Sequence, residues 1–317
     1  PLAALLFLSF APLAVPGTAS AKEAPAYLAL GDSFAFGVGA TNPAAEGYVA
    51  LTAAALGHGL FADDGLELVN LSEPDATSAD LVALDGQLER ALAEIATRQA
   101  DDESSGAVPV ISIDVGSSDL SALSRPDSPC FEDTTGRLCR NALNTMLGDL
   151  QTNLTRVLRE LHEAAPEATV YVVDVFHPYA EAGEPLEAIT AIGVQQVNGV
   201  IAAASADESL GARFVTVHEL FQANGERWVA PDGIYPNNDG HRVLSEALIA
   251  AIEGRDIALP TDLAQGTDPA PTENGASTEN GVGDDDVGLA WLLVIVPVAF
   301  AGGAFVSAVY FVRRRRR

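Results

Sequence analysis

Five apolar runs punctuate the first two thirds of the chain, at residues 26–30, 66–71, 108–113, 169–175 and 213–217. Runs of this length read as strands buried in a sheet. Several stop at turn-forming residues: Gly31, then Ser72-Glu73-Pro74-Asp75, then Asp114-Val115-Gly116, then Phe176-His177-Pro178. Between the runs, apolar positions recur at three- and four-residue spacing. That spacing predicts helices near 47–56, 79–98, 140–164 and 187–206, with a last one over 239–252. Strands alternating with helices predict a parallel sheet covered on both faces. Right-handed crossovers then collect the functional loops at the carboxyl ends of the strands.

The pattern changes at both ends. Residues 2–15 are almost wholly apolar, and Ala19-Ser20-Ala21 follows as a small-residue cleavage signal. Residues 1–21 therefore read as a secretory signal peptide whose charged start is missing. Pro12, Pro16 and Pro25 argue against a buried helix of the mature domain. Residues 22–253 form the expected domain. Residues 254–288 turn rich in Gly, Pro, Thr, Asp and Asn, with Thr-Glu-Asn-Gly at Thr272 and again at Thr278; they read as a disordered acidic spacer. Residues 289–312 carry no charge and are long enough to span a bilayer as a helix. Arg313–Arg317 follow at once and are expected in the cytoplasm. The expectation is a single-pass, C-terminally anchored cell-membrane protein with its main domain, a monomer, outside the cell.

Charge and cysteines refine this picture. The formal net charge is −27, although the terminal run contributes five positive charges. Such a surface repels nucleic-acid phosphates and anionic lipid headgroups, so nucleic acid is not an expected partner and contact with the membrane is expected only through the C-terminal helix. Cys130 and Cys139 are the two cysteines. Close in sequence and outside the cell, they predict a disulfide clipping an insertion at residues 124–140. A metal site would need more ligands than that loop offers.

Candidate chemistry lies at the strand ends. Ser33 follows the first strand within Gly31-Asp32-Ser33, where a helix begins and backbone N–H groups can meet negative charge. A capping serine in an ordinary turn is the plainer reading. Asn70-Leu71-Ser72-Glu73-Pro74-Asp75 follows the second strand and Gly116-Ser117-Ser118-Asp119-Leu120 the third. Pro231-Asp232-Gly233-Ile234-Tyr235-Pro236-Asn237 opens the last helix. In type and order these four blocks resemble the SGNH/GDSL hydrolases, secreted serine esterases and lipases, over residues 27–252. The resemblance implies a three-layer α/β/α, flavodoxin-like fold with a five-stranded parallel sheet. It implies hydrolysis of carboxylic esters of lipid or acylated glycan, with no cofactor. The clipped insertion after the third strand also looks like secreted members of that family.

The resemblance assigns roles residue by residue. Ser33 stands at the nucleophile, and Asp232 at the supporting acid. The family's oxyanion-binding glycine falls at Asp75, its oxyanion-binding asparagine at Ser118 and its catalytic histidine at Tyr235. Histidine suits a general base because its pKa lies near neutrality. Tyrosine ionises near pH 10 and is a poor base at neutral pH. Asp75 could still offer its backbone N–H, while its carboxylate would oppose an oxyanion. Ser118 can donate but reaches less far than an asparagine amide. Two readings follow: ester hydrolysis through Ser33 with another base, or a pseudoenzyme whose cleft binds a ligand or partner without turnover. His177, after the fourth strand, and His241, on the last helix, are the alternative bases considered. His218 reads as structural, and His58 and His162 as exposed. Asp32, Asp75, Asp119 and Asp232 could converge on a hard cation, but Asp32 and Asp119 read as turn caps, so no metal is expected. Gly37-Val38-Gly39 lacks the lysine and glycine spacing of a phosphate loop.

Overall fold

The computed structural model describes residues 24–100, 107–176, 183, 185–264, 292–299 and 305–312, the last two as backbone. The signal segment, residues 265–288, the arginine run and His177 lie outside the described residues. In the first unit, β1 (Ala26–Gly31) leads into the short α1 (Ser33–Phe36), α2 (Pro43–Glu46) and α3 (Tyr48–His58). β2 (Glu67–Asn70) precedes α4 (Ser78–Leu81) and α5 (Gln87–Ala100). β3 (Val110–Asp114) runs into α6 (Ser117–Ala122) and the long α7 (Arg137–Ala164). β4 (Thr169–Val173), α8 (Leu186–Ser205), β5 (Ala212–Val215), α9 (His218–Trp228), α10 (Asn238–Glu253) and α11 (Thr261–Ala264) complete it.

The five strands form one parallel sheet in the order β2-β1-β3-β4-β5. Every residue of β1 is buried, as expected for a parallel strand covered on both faces. Its side chains alternate. Ala26, Leu28 and Leu30 join the core under α5, α7 and α8, while Tyr27 and Ala29 join the opposite core with α3, α9 and α10. In α7, Leu143, Leu150, Leu154, Val157, Leu158 and Leu161 are buried at helical spacing. Each such side chain contributes about 1.5–3 kcal/mol relative to an exposed one.

Several boundaries differ from the sequence reading. The helix expected over 79–98 is broken into α4 and α5, because Asp85 adopts a left-handed φ of 57° between them. α9 is absent from the sequence reading: short polar stretches dilute its apolar face. The disulfide Cys130–Cys139 is present, with Cys139 already inside α7. Residues 255–264, read as the start of the spacer, pack on the domain instead. Leu263 is buried and Leu259 half-buried against the α10 side, and Arg242 pairs with Asp262 at 2.7 Å.

The second unit contains an antiparallel pair, β6 (Leu292–Ala299) and β7 (Phe305–Val312), in place of the helix expected over 289–312. The two segments are rich in Val, Ile, Phe and Tyr, which favour strands, and Pro297 disfavours a helix interior. Freedom from charge does not distinguish the two conformations.

Two contacts fix where the first loop meets the rest. Gly31 pairs with Asp114 in the sheet register and has a φ of 146°; a Cβ there would lie 2.4 Å from Asp114 Oδ1. His241, fully buried on α10, holds the turn after α1: its Nε2 donates to Val38 O at 3.0 Å, and its Nδ1 accepts from Tyr48 N at 3.3 Å. Asn238 adds a second tie, accepting from Thr41 N at 2.8 Å.

Gly31→Ala is expected to lower stability by on the order of 3 kcal/mol, read from the urea midpoint. Burial holds the His241 imidazole down at about 4. The unfolded chain therefore binds the extra proton between pH 6.5 and 4, so His241 contributes stability in full above pH 6.5 and loses it as the pH falls towards 4. Asp174, pushed up to about 6 by burial, acts in the opposite sense, favouring the fold below about pH 4 and weakening it as the pH rises towards 6. His241→Gln is accordingly expected to flatten the acid limb of stability against pH by up to about 3 kcal/mol. An unchanged limb would remove His241 from that role.

Candidate active site

Ser33 opens α1 directly after β1. Asp32 caps the helix, its Oδ1 accepting from Phe34 N at 3.1 Å. Gly31 ends the strand in a conformation open to glycine, with Gln87 bonded to both its N–H and its carbonyl. Ser33 is thus presented at the carboxyl edge of the sheet, at a strand-to-helix turn, as its position in the sequence predicts.

A buried polar network lies behind it. Asp32 Oδ2 accepts from the Ser117 hydroxyl, from Ser118 N at 3.4 Å and from Ser118 Oγ at 3.4 Å. Asp32 N donates to Asp114 Oδ1 at 3.0 Å, and Tyr48 OH to Asp114 Oδ2 at 2.6 Å. Burial raises both carboxyls, and the Asp32 charge pushes Asp114 further up. Burial beside Asp114 raises Tyr48 as well. Like charges so close disfavour ionisation of both carboxyls together.

The cleft-facing groups differ from the family pattern in a defined way. Asp75 has a left-handed φ of 60°, a conformation natural to glycine and costing on the order of 1 kcal/mol for another residue. Its N–H donates to Ser33 Oγ at 2.8 Å. Its carboxylate Oδ1 lies 3.3 Å from the same Oγ and 3.5 Å from Tyr235 OH. Tyr235 therefore sits where the order of the blocks puts the histidine, and its OH shares Asp75 Oδ1 with the Ser33 hydroxyl. Burial and the Asp75 charge raise the Tyr235 phenol above its ordinary value, further from use as a base. Asp232 Oδ1 accepts from Ile234 N at 2.8 Å and from Tyr235 N at 3.1 Å; it shapes its own turn.

The block before α10 meets the first loop by close approach. A Cβ on Gly39 would fall 2.1 Å from Pro236 O and 2.9 Å from Tyr235 Cβ. The Phe34 ring stands edge-on to Tyr235 at 6.3 Å and stacks on Phe176 at 4.7 Å. Phe176 stacks in turn on Phe221 at 4.1 Å. This aromatic wall, Tyr48 and Asp114 are missing from the sequence reading; only their apolar or strand-end placement hinted at them.

Three expectations are corrected. His241 is no base for Ser33, since both ring nitrogens are engaged within the core. The Ser118 hydroxyl turns to Asp32 rather than to an oxyanion position. His162 is half-buried, with Nδ1 enclosed, because α7 packs that turn beside Gly211. Asp119 accepts from Ser78 N at 2.9 Å and Ser78 Oγ at 2.7 Å, which ties the second and third strand ends together. Among the described residues no group of three or more His, Cys, Asp or Glu side chains is placed to hold a metal ion.

Chemically, the arrangement presents one hydroxyl at the carboxyl edge of the sheet, with the Asp75 N–H aimed at it. Attack by Ser33 needs an acceptor for its proton and donors for the oxyanion that forms. Among the described residues the acceptors beside Ser33 are the Asp75 carboxylate and the Tyr235 phenol, and the N–H that reaches Ser33 Oγ belongs to Asp75, whose own carboxylate faces the same place.

The GDSL-like lipase/acylhydrolase family profile matches residues 29–243. Among solved structures, a lipase from a goat rumen metagenome is 18% identical, with a TM-score of 0.54 over 72% of this chain and 97% of its own. An extracellular lipase from Streptomyces rimosus is 21% identical, with a TM-score of 0.48 over 74% and 100%. An acetylxylan esterase from Geobacillus stearothermophilus is 18% identical, with a TM-score of 0.48 over 73% and 95%. No curated protein sequence matches the chain. The family match spans all four strand-end blocks, and on it the chain belongs to the GDSL-like lipase/acylhydrolase family.

Proposed function

We propose that this member uses its cleft to bind a small-molecule ligand and does not hydrolyse it at an appreciable rate. One observation carries the reading: Asp75 Oδ1 and Tyr235 OH occupy the space beside Ser33 Oγ that a general base must fill. Loss of such a base costs on the order of a million-fold when the rest of the unit is intact. Loss of one oxyanion donor costs about a hundred- to a thousand-fold. The family match over residues 29–243 supports a ligand site at this sheet edge.

We extend the proposal to location. The apolar segment at 2–15, the cleavage-like Ala19-Ser20-Ala21, the uncharged 289–312 and the arginines after it support a secreted domain tethered to the cell membrane. A two-stranded ribbon leaves its outer backbone groups unpaired, which lipid does not accommodate, so insertion requires residues 289–312 to become helical.

A second reading, slow ester hydrolysis through Ser33, is favoured by one contact, the Asp75 N–H at 2.8 Å from Ser33 Oγ. The two separate in one assay with short-chain nitrophenyl esters and a serine-directed fluorophosphonate. The wild-type protein is expected to show neither turnover nor labelling above the Ser33→Ala background. The triple variant Asp75→Gly, Ser118→Asn, Tyr235→His is expected to gain at least about a hundredfold over that background, and to lose the gain on Ser33→Ala. Wild-type turnover that Ser33→Ala abolishes would overturn the binding reading.

A further inference from the structure

The cleft of an ester hydrolase must present donors, because negative charge grows on the substrate oxygen. Here the polarity is reversed. Three oxygen groups converge: the Asp75 carboxylate, Ser33 Oγ at 3.3 Å from it and Tyr235 OH at 3.5 Å. The asparagine amide expected on the far side is Ser118, whose hydroxyl is committed to Asp32. Among the described residues Asp75 forms no ion pair; Arg90, the guanidinium that reaches the same loop, is taken by Glu73. Asp75 Oδ1 accepts from both the Ser33 hydroxyl and the Tyr235 phenol, and the Asp75 side chain is exposed.

An acceptor-rich site asks for a donor-rich ligand. An ammonium group has three N–H donors and no acceptor, and three oxygens are gathered here. The protein's charge of −27 raises the local concentration of cations about it. A carbonyl ester meets the opposite field, since the Asp75 carboxylate faces the place its oxygen must occupy.

We infer that the cleft between Ser33, Asp75 and Tyr235 is a receptor site for a protonated primary amine, as on a deacetylated amino sugar. The inference rests on the non-hydrolytic reading of the same cleft and names its ligand class. The amine can be carried by a sugar or by an alkyl chain, and the recognition chemistry is shared.

Calorimetry at low salt tests it with three probes on the full chain: triglucosamine, its fully N-acetylated counterpart and 1,5-diaminopentane. Triglucosamine is expected to bind at least about tenfold more tightly than the acetylated trimer, because acetylation removes the charge and the donors. Diaminopentane binding as well as triglucosamine would assign recognition to the ammonium alone, and weaker binding would add the sugar; both agree with the inference. Asp75→Asn keeps a residue that tolerates the left-handed backbone and is expected to weaken triglucosamine binding at least about tenfold. Asp149→Asn, an exposed acid on α7, is expected to leave it unchanged and so exclude general attraction to an acidic surface. Equal or tighter binding of the acetylated trimer, or an unaltered affinity in Asp75→Asn, would overturn the inference. Ester turnover by the wild type bears on the function reading alone and is scored separately.

Discussion

The carboxyl edge of the sheet depends on one buried contact, that of Asp32 with Asp114. Gly31 lies against Asp114 with no room for a side chain. Asp32 N donates to one oxygen of Asp114, and Tyr48 OH donates to the other. Two carboxyls in a dry interior are tolerable because each of their four oxygens meets a donor. Through this junction β1 is locked to β3, and α3 is locked to both. Removal of any one donor would leave a buried acceptor without a partner, which costs about 1–3 kcal/mol. The orientation of Ser33 follows from this arrangement, since the carboxylate that receives Ser117 also caps the helix that Ser33 begins.

On that rigid base the cleft carries a different electrostatic sense from the one its fold is built to serve. A backbone N–H at Asp75 reaches Ser33 Oγ, so the loop geometry of an oxyanion site is preserved. The side chain on the same residue brings a full negative charge to within hydrogen-bonding range of that oxygen. Opposed to a partial positive charge on one N–H, the carboxylate dominates the local field. The strain of a left-handed aspartate is small beside that effect. It is the side chain at 75, more than the backbone, that sets what the cleft can hold.

The parallel sheet was legible in the sequence because each strand is a short apolar run followed by turn residues, and β1 and β3 could be placed to within a residue or two. α4 and α5 read as one helix because a left-handed Asp85 leaves no periodic trace. α9 was hidden because its polar residues outnumber its buried ones. The apolar stretch 289–312 illustrates a harder limit: absence of charge is shared by a membrane helix and by strands, so composition alone cannot choose the conformation. At the site, Ser33, Asp75 and Tyr235 were found by position along the chain, and they do meet. The duties of Asp114, Tyr48 and Phe176 were not legible, because a buried strand-end acid and a core aromatic look alike whether or not they support a loop.

The polar residues at this sheet edge divide by the kind of bond they make. Asp32 caps a helix and receives Ser117, Asp119 clamps Ser78, and His241 spans Val38 and Tyr48. All of these face inward, and each holds two segments of backbone together, so their loss would be felt as instability. Of the positions that depart from the family pattern, Asp75 and Tyr235 meet beside Ser33, while the Ser118 hydroxyl turns inward to Asp32; the resemblance gives all three a duty to a reacting substrate. Stability and turnover are therefore separable at this sheet edge: the inward set suffices to build the loops, while the chemistry requires the cleft-facing set in addition. A chain that keeps the first and replaces the second keeps its strand-end loops in place while the polarity beside Ser33 changes.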